Sequence, residues 1–311
     1  MRTLAWIGLA LLAAVPLSGI GNYPLHLVIM CLLWAYVYTS WSIMGRLGMV
    51  SFGHGAFLGI GAYAVVMLWN HFGVSPWLGA LAGVLASVAV ALVIGFPCFR
   101  FKIVGHYFAL VTLALSEVTR LIIVALRDQT GGSLGATPDT ALAQGNTWSF
   151  AALWVWVRVD RSMTRLALEA ISQEEDAAAS IGINVTKSKL FVTLISAVMM
   201  SLGGVLYAQY QTYINPETVS GIGVSLQMVF GVIAGGMFVM LGPTVGAVFT
   251  LLLAEGLRLA LGDAFKQFPA LDLAIYGLML VLFIIYMPKG ILGAALEAWG
   301  RRAAKPAAAP R

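Results

Sequence analysis

Four charged side chains lie inside strongly apolar segments, at spacings that allow them to interact. Glu117 is followed by Arg120 in LALSEVTRLI, and Glu255 is followed by Arg258 in LLLAEGLRLAL. Residues three apart lie on one helix face, so each pair can form an ion pair and reduce the cost of a charge in lipid, about 2.5–3.5 kcal/mol for a central residue. A carboxylate in this setting can also relay protons. We favour structural pairing near the outer ends of the two helices over proton transfer.

A further polar group lies in the glycine-rich segment SFGHGAFLGIGAY. Ser51 and His54 need a polar partner or a cavity if this segment is in lipid, and Gly53 stands between them. Glycines at such spacings, here and in GGMFVMLGPTVGA, favour close helix packing, and they also occur in the broken helices that build transport sites. Both a packing role and a position on a translocation path remain open for Ser51, Gly53 and His54.

The sequence offers no catalytic or metal-binding motif. It contains no G-x-x-x-x-G-K-[ST] loop and no H-E-x-x-H pair. Its two cysteines, Cys31 and Cys98, are far apart and are interpreted as packing residues. The net charge of +5 comes from scattered basic residues without a basic stripe, so nucleic acid is not an expected partner. We predict a protein that is not an enzyme, with no cofactor in this chain.

The composition requires a membrane. Of 311 residues, 60% are apolar and 10% are charged, whereas soluble domains carry about 25% charged residues. We predict a single all-α transmembrane domain over residues 1–311 with about ten membrane helices, one of them short. The first segment resembles the apolar part of a signal peptide, but further spans follow at once. The predicted spans are 4–17, 25–44, 50–69, 76–97, 105–126, 147–157, 190–211, 224–240, 243–262 and 271–287.

The distribution of lysine and arginine predicts the orientation, because these residues concentrate in cytoplasmic loops. If the short segment 147–157 crosses the membrane, both termini are cytoplasmic and fourteen basic residues lie inside, against three near the outer face. If it does not cross, the first five spans are inverted and the bias weakens. The inner residues are Arg2, Arg46, Arg100, Lys102, Arg158, Arg161, Arg165, Lys187, Lys189, Lys289, Arg301, Arg302, Lys305 and Arg311; the outer ones are Arg127, Arg258 and Lys266.

The longest polar stretch, residues 158–189, is cytoplasmic in this arrangement. It contains good helix formers followed by Gly182, a residue that often ends a helix. It is longer than the 2–8 residues that usually join helices in a bundle, which favours a function beyond connection. Residues 289–311 form a predicted cytoplasmic tail.

Four blocks of the sequence together resemble the LivM type of permease in ABC importers for branched-chain amino acids. The blocks are LGMVSFGHGAFLGIGAY, GHYFALVTLALSEVTRLI, TGGSLG, and a region that runs from AISQEEDAAASIGINVTKSKL through SAVMMSLGGVLYA to GPTVGA. The resemblance covers most of the chain and implies the ABC importer permease fold.

The resemblance also implies partners and site residues. A homologous second permease, two ATPase subunits holding ATP and Mg, and a periplasmic binding protein would complete the importer in the lipid of a bacterial inner membrane. The polar stretch would be its coupling loop, docking on an ATPase subunit. The residues that match the coupling segment are Glu175, Asp176, Ala177, Ala178, Ala179 and Gly182.

Two other functions remain open from the sequence. An ion-gradient-driven secondary transporter would use Glu117 and Glu255 as ion or proton sites, and it would leave the coupling-like loop unexplained. A membrane scaffold subunit without transport activity would show no substrate flux in any assembly. The sequence does not distinguish branched-chain amino acids from urea or short amides as the substrate.

Overall fold

The computed structural model of the protein describes residues 21–138, 170–171, 173–267, 275, 277–278, 281–282, 285–287 and 289–303. The described chain is helical and contains no β-strand, which confirms the all-α class; Ala136 and Ile214 form a single antiparallel bridge. A 3₁₀ turn spans Gly132–Leu134. The helices are α1 Asn22–Gly45, α2 His54–Phe72, α3 Pro76–Arg100, α4 Gly105–Ala125, α5 Arg127–Thr130, α6 Glu175–Ser180, α7 Val185–Gln211, α8 Pro216–Ser220, α9 Ile222–Gly235, α10 Gly242–Gln267 and α11 Gly290–Ala303.

Six candidate membrane spans occur in the described residues, judged by length and composition. They are α1, α2, α3, α4, α7 and the combined stretch Pro216–Gly235; Gly242–Leu257 within α10 is a shorter apolar helix. The predicted segments 4–17 and 147–157 lie outside the described residues, as do residues 158–169 of the coupling loop, part of 271–287 and residues 304–311 of the tail.

The helix ends follow local chemistry. Gly73 ends α2 in the left-handed region at φ +61°, and Pro76 starts α3 at a position where no intrahelical N–H is needed. The Asn184 side chain caps α7 by accepting from the Lys187 N–H at 3.0 Å. Gly182, at φ +93°, stops α6, as the sequence predicts.

The predicted span 224–240 differs from the structure at both ends. It begins earlier, as α8, breaks at Gly221 in an extended conformation and continues as α9. It ends at Gly235, because Gly236 has φ +114°, which a helix cannot adopt. The chain then turns before α10, so the glycine-rich stretch interrupts a helix.

Close backbone contact holds the centre of the bundle together. A Cβ added at Gly61 in α2 would overlap the backbone of Ser201 in α7, and one added at Gly204 in α7 would overlap the backbone of Leu58 in α2. The two helices therefore pack with small residues facing one another, in the manner of membrane helices. The largest fully buried side chains of the described residues include Trp41, Tyr38 and Met200.

Connections between helices cluster at two opposite ends of the bundle. At one end, called the outer end after the orientation that the charges predict, His71 contacts the Gln129 carbonyl and Tyr213 donates to the Leu134 carbonyl. At the opposite end, called the inner end on the same basis, Lys102 contacts Asp176. Residue 138 lies at the outer end and residue 170 near the inner end. The side of the membrane that each end faces stays a prediction.

Candidate functional site

Helix α6, the predicted coupling helix, lies at the inner end with one face buried and the other exposed. Ala178 is buried against the protein itself, with 2% of its surface exposed. Asp176, Ala177 and Ala179 are exposed. The buried position of Ala178 leaves Ala177 and Ala179 as the alanines whose side chains are available to a partner.

Apolar side chains are exposed next to the C-terminal end of α6, although the surrounding sequence is polar. Ile181 is 75% exposed, and Gly182 beside it is also exposed. Phe101, the neighbour of Lys102 in the α3–α4 connection, is 75% exposed as well. The sequence analysis did not select Ile181, since one isoleucine in a polar stretch carries no pattern. Its exposure beside the coupling helix adds it to the candidate docking surface.

Two ion pairs fasten α6 to the rest of the bundle. Lys102 Nζ lies 2.6 Å from Asp176 Oδ1, with both side chains exposed. Lys189 Nζ, at the base of α7, lies 2.9 Å from Glu175 Oε1, and only 8% of the Lys189 side chain and 20% of the Glu175 side chain are exposed. The sequence analysis used Lys102 and Lys189 only to predict the membrane orientation, and it missed their ion pairs with Asp176 and Glu175.

The exposed ion pair between Lys102 and Asp176 shifts the pKa of both side chains. The hydrogen bond and the charge of Asp176 raise the pKa of Lys102, while those of Lys102 lower the pKa of Asp176. The contribution of the pair is present above the ordinary pKa of a carboxylic acid and is lost as pH falls through the lowered pKa of Asp176. It is also lost as pH rises through the raised pKa of Lys102. The pair is therefore charged throughout the neutral range.

His54 is fully enclosed at the start of α2 in a chain of hydrogen bonds. Its Nε2 lies 2.8 Å from Ser196 Oγ in α7, and Ser196 donates to the Ser40 carbonyl at 2.7 Å. The Gly53 N–H donates to Ser51 Oγ, which lies 3.1 Å from His54 Nδ1. Because the Ser196 hydroxyl donates to the Ser40 carbonyl, it accepts from the His54 Nε2–H; in the neutral tautomer with this proton, Nδ1 accepts from the Ser51 hydroxyl.

The buried network connects α1, α2 and α7 in the interior of the bundle. His54 is 1% exposed and Ser51 is 2% exposed, and a Cβ added at Gly53 would overlap Thr112 in α4. The structure thus brings the three predicted path residues together, in close contact with their neighbours. A role on the translocation path stays a prediction.

The two predicted intramembrane pairs differ in their surroundings. Arg120 Nε lies 3.0 Å from Glu117 Oε2, and Arg120 Nη1 lies 2.7 Å from Glu217 Oε1 in α8. Arg120 thus joins α4 to α8 at the outer end. Glu255 accepts a hydrogen bond from the Tyr23 hydroxyl of α1, while the side chain of Arg258 lies outside the described residues.

A cavity of about 290 Å³ opens beside the coupling helix at the inner end. Its lining comes from the α1–α2 connection, the end of α3, the α3–α4 connection, the start of α4, three residues before and in α6 (Ile171, Gln173 and Glu175), and Lys189 near the start of α7. Of the two charged residues in this lining, Lys189 is buried and the Glu175 side chain is 20% exposed. Within the part of the chain that the structure describes, no group of three His, Cys, Asp or Glu side chains could hold a metal ion.

Residues 23–284 match the family model described as branched-chain amino acid transport system, permease component. The permease LivM of Salmonella typhimurium is 26% identical over 80% of this chain, and LivM of Escherichia coli is equally similar. The permease LivH of Salmonella typhimurium is 25% identical over 81% of this chain and 88% of its own length. The chain covers 65% of the length of the two LivM proteins. No solved structure matches it significantly.

Proposed function

The chain belongs to the permease family of branched-chain amino acid transport systems, and on this premise we propose that it is the membrane-spanning subunit of an ATP-driven importer for branched-chain or related amino acids. Members of this family are transport components, so the chain is a multi-pass membrane transport subunit and not a catalytic enzyme. ATP and Mg²⁺ bind in the partner ATPase subunits. A homologous permease and a periplasmic binding protein complete the assembly in the bacterial inner membrane, with both termini in the cytoplasm.

The observation that carries this proposal is the coupling helix itself. A six-residue helix at the inner end exposes the small residues Ala177 and Ala179, and the apolar Ile181 directly after it is exposed as well. Small side chains allow a groove on a partner to approach the helix backbone closely. Its other face is held by Glu175–Lys189 and by the burial of Ala178. A partner that displaces α6 therefore also displaces the part of the bundle to which α6 is attached.

The N-terminal part of α7 connects α6 to the interior of the bundle. Lys189 and Ser196 lie seven residues, about two helical turns, apart on α7, so they share one face. Lys189 binds Glu175 of the coupling helix, and Ser196 binds His54 at the start of α2. Displacement of α6 is thereby transmitted to the glycine-rich helix without any covalent chemistry in this chain.

Replacing Ile181 with aspartate is expected to abolish retention of the ATPase subunits, because a charge would replace the exposed apolar group of the docking surface. The measurement is co-purification of the permease in detergent with the ATPases encoded beside it. The matched control is Leu134→Asp, since Leu134 is 73% exposed at the opposite end of the bundle. Loss in the Ile181 variant alone supports docking at α6. Equal retention by wild type and both variants would contradict it.

A further inference from the structure

The span that consists of α8 and α9 is broken near its outer end. Gly221 separates the two helices in an extended conformation, at φ −62° and ψ 155°, and no backbone hydrogen bond joins α8 to α9 in the described chain. Irregular backbone at membrane depth is tolerated only where protein covers it or where it lines a water-filled cavity. Here protein covers it, because Val219, Ser220 and Gly221 are all buried. The break allows α8 to change its position while α9 stays helical.

Serine hydroxyls from neighbouring helices hold the broken ends. Ser116 Oγ in α4 donates to the Ser220 carbonyl at 2.8 Å, which takes the place of a helical N–H at the break. The same Ser116 Oγ lies 3.3 Å from Ser225 Oγ in α9, and Ser225 Oγ accepts from the Gly55 N–H of α2 at 3.2 Å. The position of α8 against the bundle therefore depends on side-chain contacts and not on a continuous helix.

Two buried hydroxyls on one face of α2 have no hydrogen-bond partner among the described residues. Ser220 Oγ lies directly against α2, since a Cβ added at Gly59 would overlap it. The Tyr63 hydroxyl is the other one, and Tyr63 follows Gly59 by four residues, which places both positions on the same helix face. A buried hydroxyl without a partner costs free energy, and water would pair both groups if α8 moved away. Their burial favours a second arrangement in which this face of α2 is hydrated.

An ion pair on the protein surface connects α8 to α4. Arg120 Nη1 lies 2.7 Å from Glu217 Oε1, and the Glu217 side chain is 70% exposed. Exposed ion pairs contribute little to stability. Arg120 also pairs with Glu117 on its own helix, so its charge stays compensated when Glu217 leaves. This contact can therefore break without leaving an unpaired charge on α4.

We propose that α8 is an outer gate that hinges at Gly221 and is closed in this structure. Its displacement breaks the Arg120–Glu217 pair and admits water to the face of α2 that carries Gly59 and Tyr63. This face is not the one that carries His54, because the two positions differ by nearly half a turn around the helix. The inference rests on the proposed function, since a gate is needed only in a transport subunit.

Cysteine labelling in proteoliposomes tests the gate in the complete assembly with its partner permease and ATPases. The chain carries Ser220→Cys in a background of Cys31→Ala and Cys98→Ala, and a membrane-impermeant methanethiosulfonate reagent is added on the side of the binding protein. We expect labelling at least about ten-fold faster during ATP-driven turnover than without ATP, because turnover populates the open arrangement. Ser87→Cys is the matched control: Ser87 in α3 is also fully buried with an unpaired hydroxyl, and it should stay unlabelled in both conditions.

Glu217→Gln should open the gate partly without ATP. Loss of an exposed ion pair is expected to speed the labelling of Ser220→Cys by about two- to five-fold. Asp128→Asn, which neutralises an exposed carboxylate on α5 at the same end, should leave the labelling rate unchanged. Equal rates in the Glu217 and Asp128 variants would show that the Arg120–Glu217 pair does not hold the gate.

A distance measurement keeps the test independent of a buried cysteine. Spin labels at Thr218→Cys in α8 and Leu121→Cys in α4, both exposed positions, should move apart during turnover. An unchanged distance, or equal labelling of the Ser220 and Ser87 variants, while uptake proceeds in the same vesicles would overturn the gate. Absence of uptake by the wild-type assembly would instead contradict the proposed function.

Discussion

Replacing Lys189 with methionine is expected to abolish ATP-driven uptake and to destabilise the protein. Removal of one partner from a buried ion pair leaves the other charge uncompensated, at a cost of about 3–5 kcal/mol. Because the Glu175 side chain is 20% exposed, we expect a loss of stability near the lower end of this range. The variant also breaks the connection between the coupling helix and α7. Uptake by reconstituted complexes and the Tm in detergent measure the two effects.

Two further variants separate coupling from folding. Lys102→Met removes the other anchor of the coupling helix, but that pair is 67% and 80% exposed, and exposed pairs contribute little; uptake should stay close to wild type. Lys189→Met combined with Glu175→Gln leaves no unpaired charge, so the Tm should recover while uptake stays low. Wild-type uptake by the Lys189 variant would show that this ion pair does not transmit motion.

Gly204→Ala is expected to destabilise the protein, whereas Gly256→Ala is not. A Cβ at Gly204 would overlap the Leu58 carbonyl and the Ala62 N–H across the α2–α7 contact, whereas a Cβ at Gly256 in α10 has no atom within 4 Å. Overpacking costs about 1–3 kcal/mol, and the Gly204 contact involves backbone, which yields less readily than a side chain.

At Gly256 the alanine should be neutral or stabilising, because glycine inside a helix is less favourable than alanine by about 0.5–1 kcal/mol. Thermal unfolding of both variants in the same detergent checks the prediction. A Tm for Gly204→Ala equal to or above that of Gly256→Ala would show that α2 and α7 do not pack at this contact. Chain length, lipid and expression system are identical for the two variants, which makes the comparison direct.

Within the described residues, apolar segment length predicted the helix bounds to within about five residues where one apolar run forms one helix. The segment 105–126 corresponds to Gly105–Ala125, and 25–44 corresponds to Asn22–Gly45. The prediction was incomplete at 224–240. Asn215 caps a short helix there through the Thr218 N–H, and hydropathy does not register a polar five-residue turn such as PETVS. Backbone conformation at Gly236, not apolarity, determines where α9 ends.

Family membership and a helix that ends near Gly182 could be predicted from the sequence, but the contacts of that helix could not. The spacing of Glu117 and Arg120 predicts that they can pair, whereas Glu217 is 97 residues from Arg120 and meets it only through the fold. Lys189 and Glu175 lie on separate helices whose relative position depends on the turn at Gly182. The buried face of α6 could not be predicted from the sequence either. A helix of six residues is too short for its apolar periodicity to show that Ala178 is buried.

Uptake of radiolabelled leucine into proteoliposomes tests the central proposal most directly. The vesicles contain this chain, its partner permease and the ATPases, with the binding protein outside, so that ATP supply and ion gradients can be varied separately. We predict uptake that requires ATP on the ATPase side, requires this chain and persists when ion gradients are collapsed. Uptake driven by an ion gradient without ATP, or no uptake from a complete assembly that hydrolyses ATP, would contradict the account.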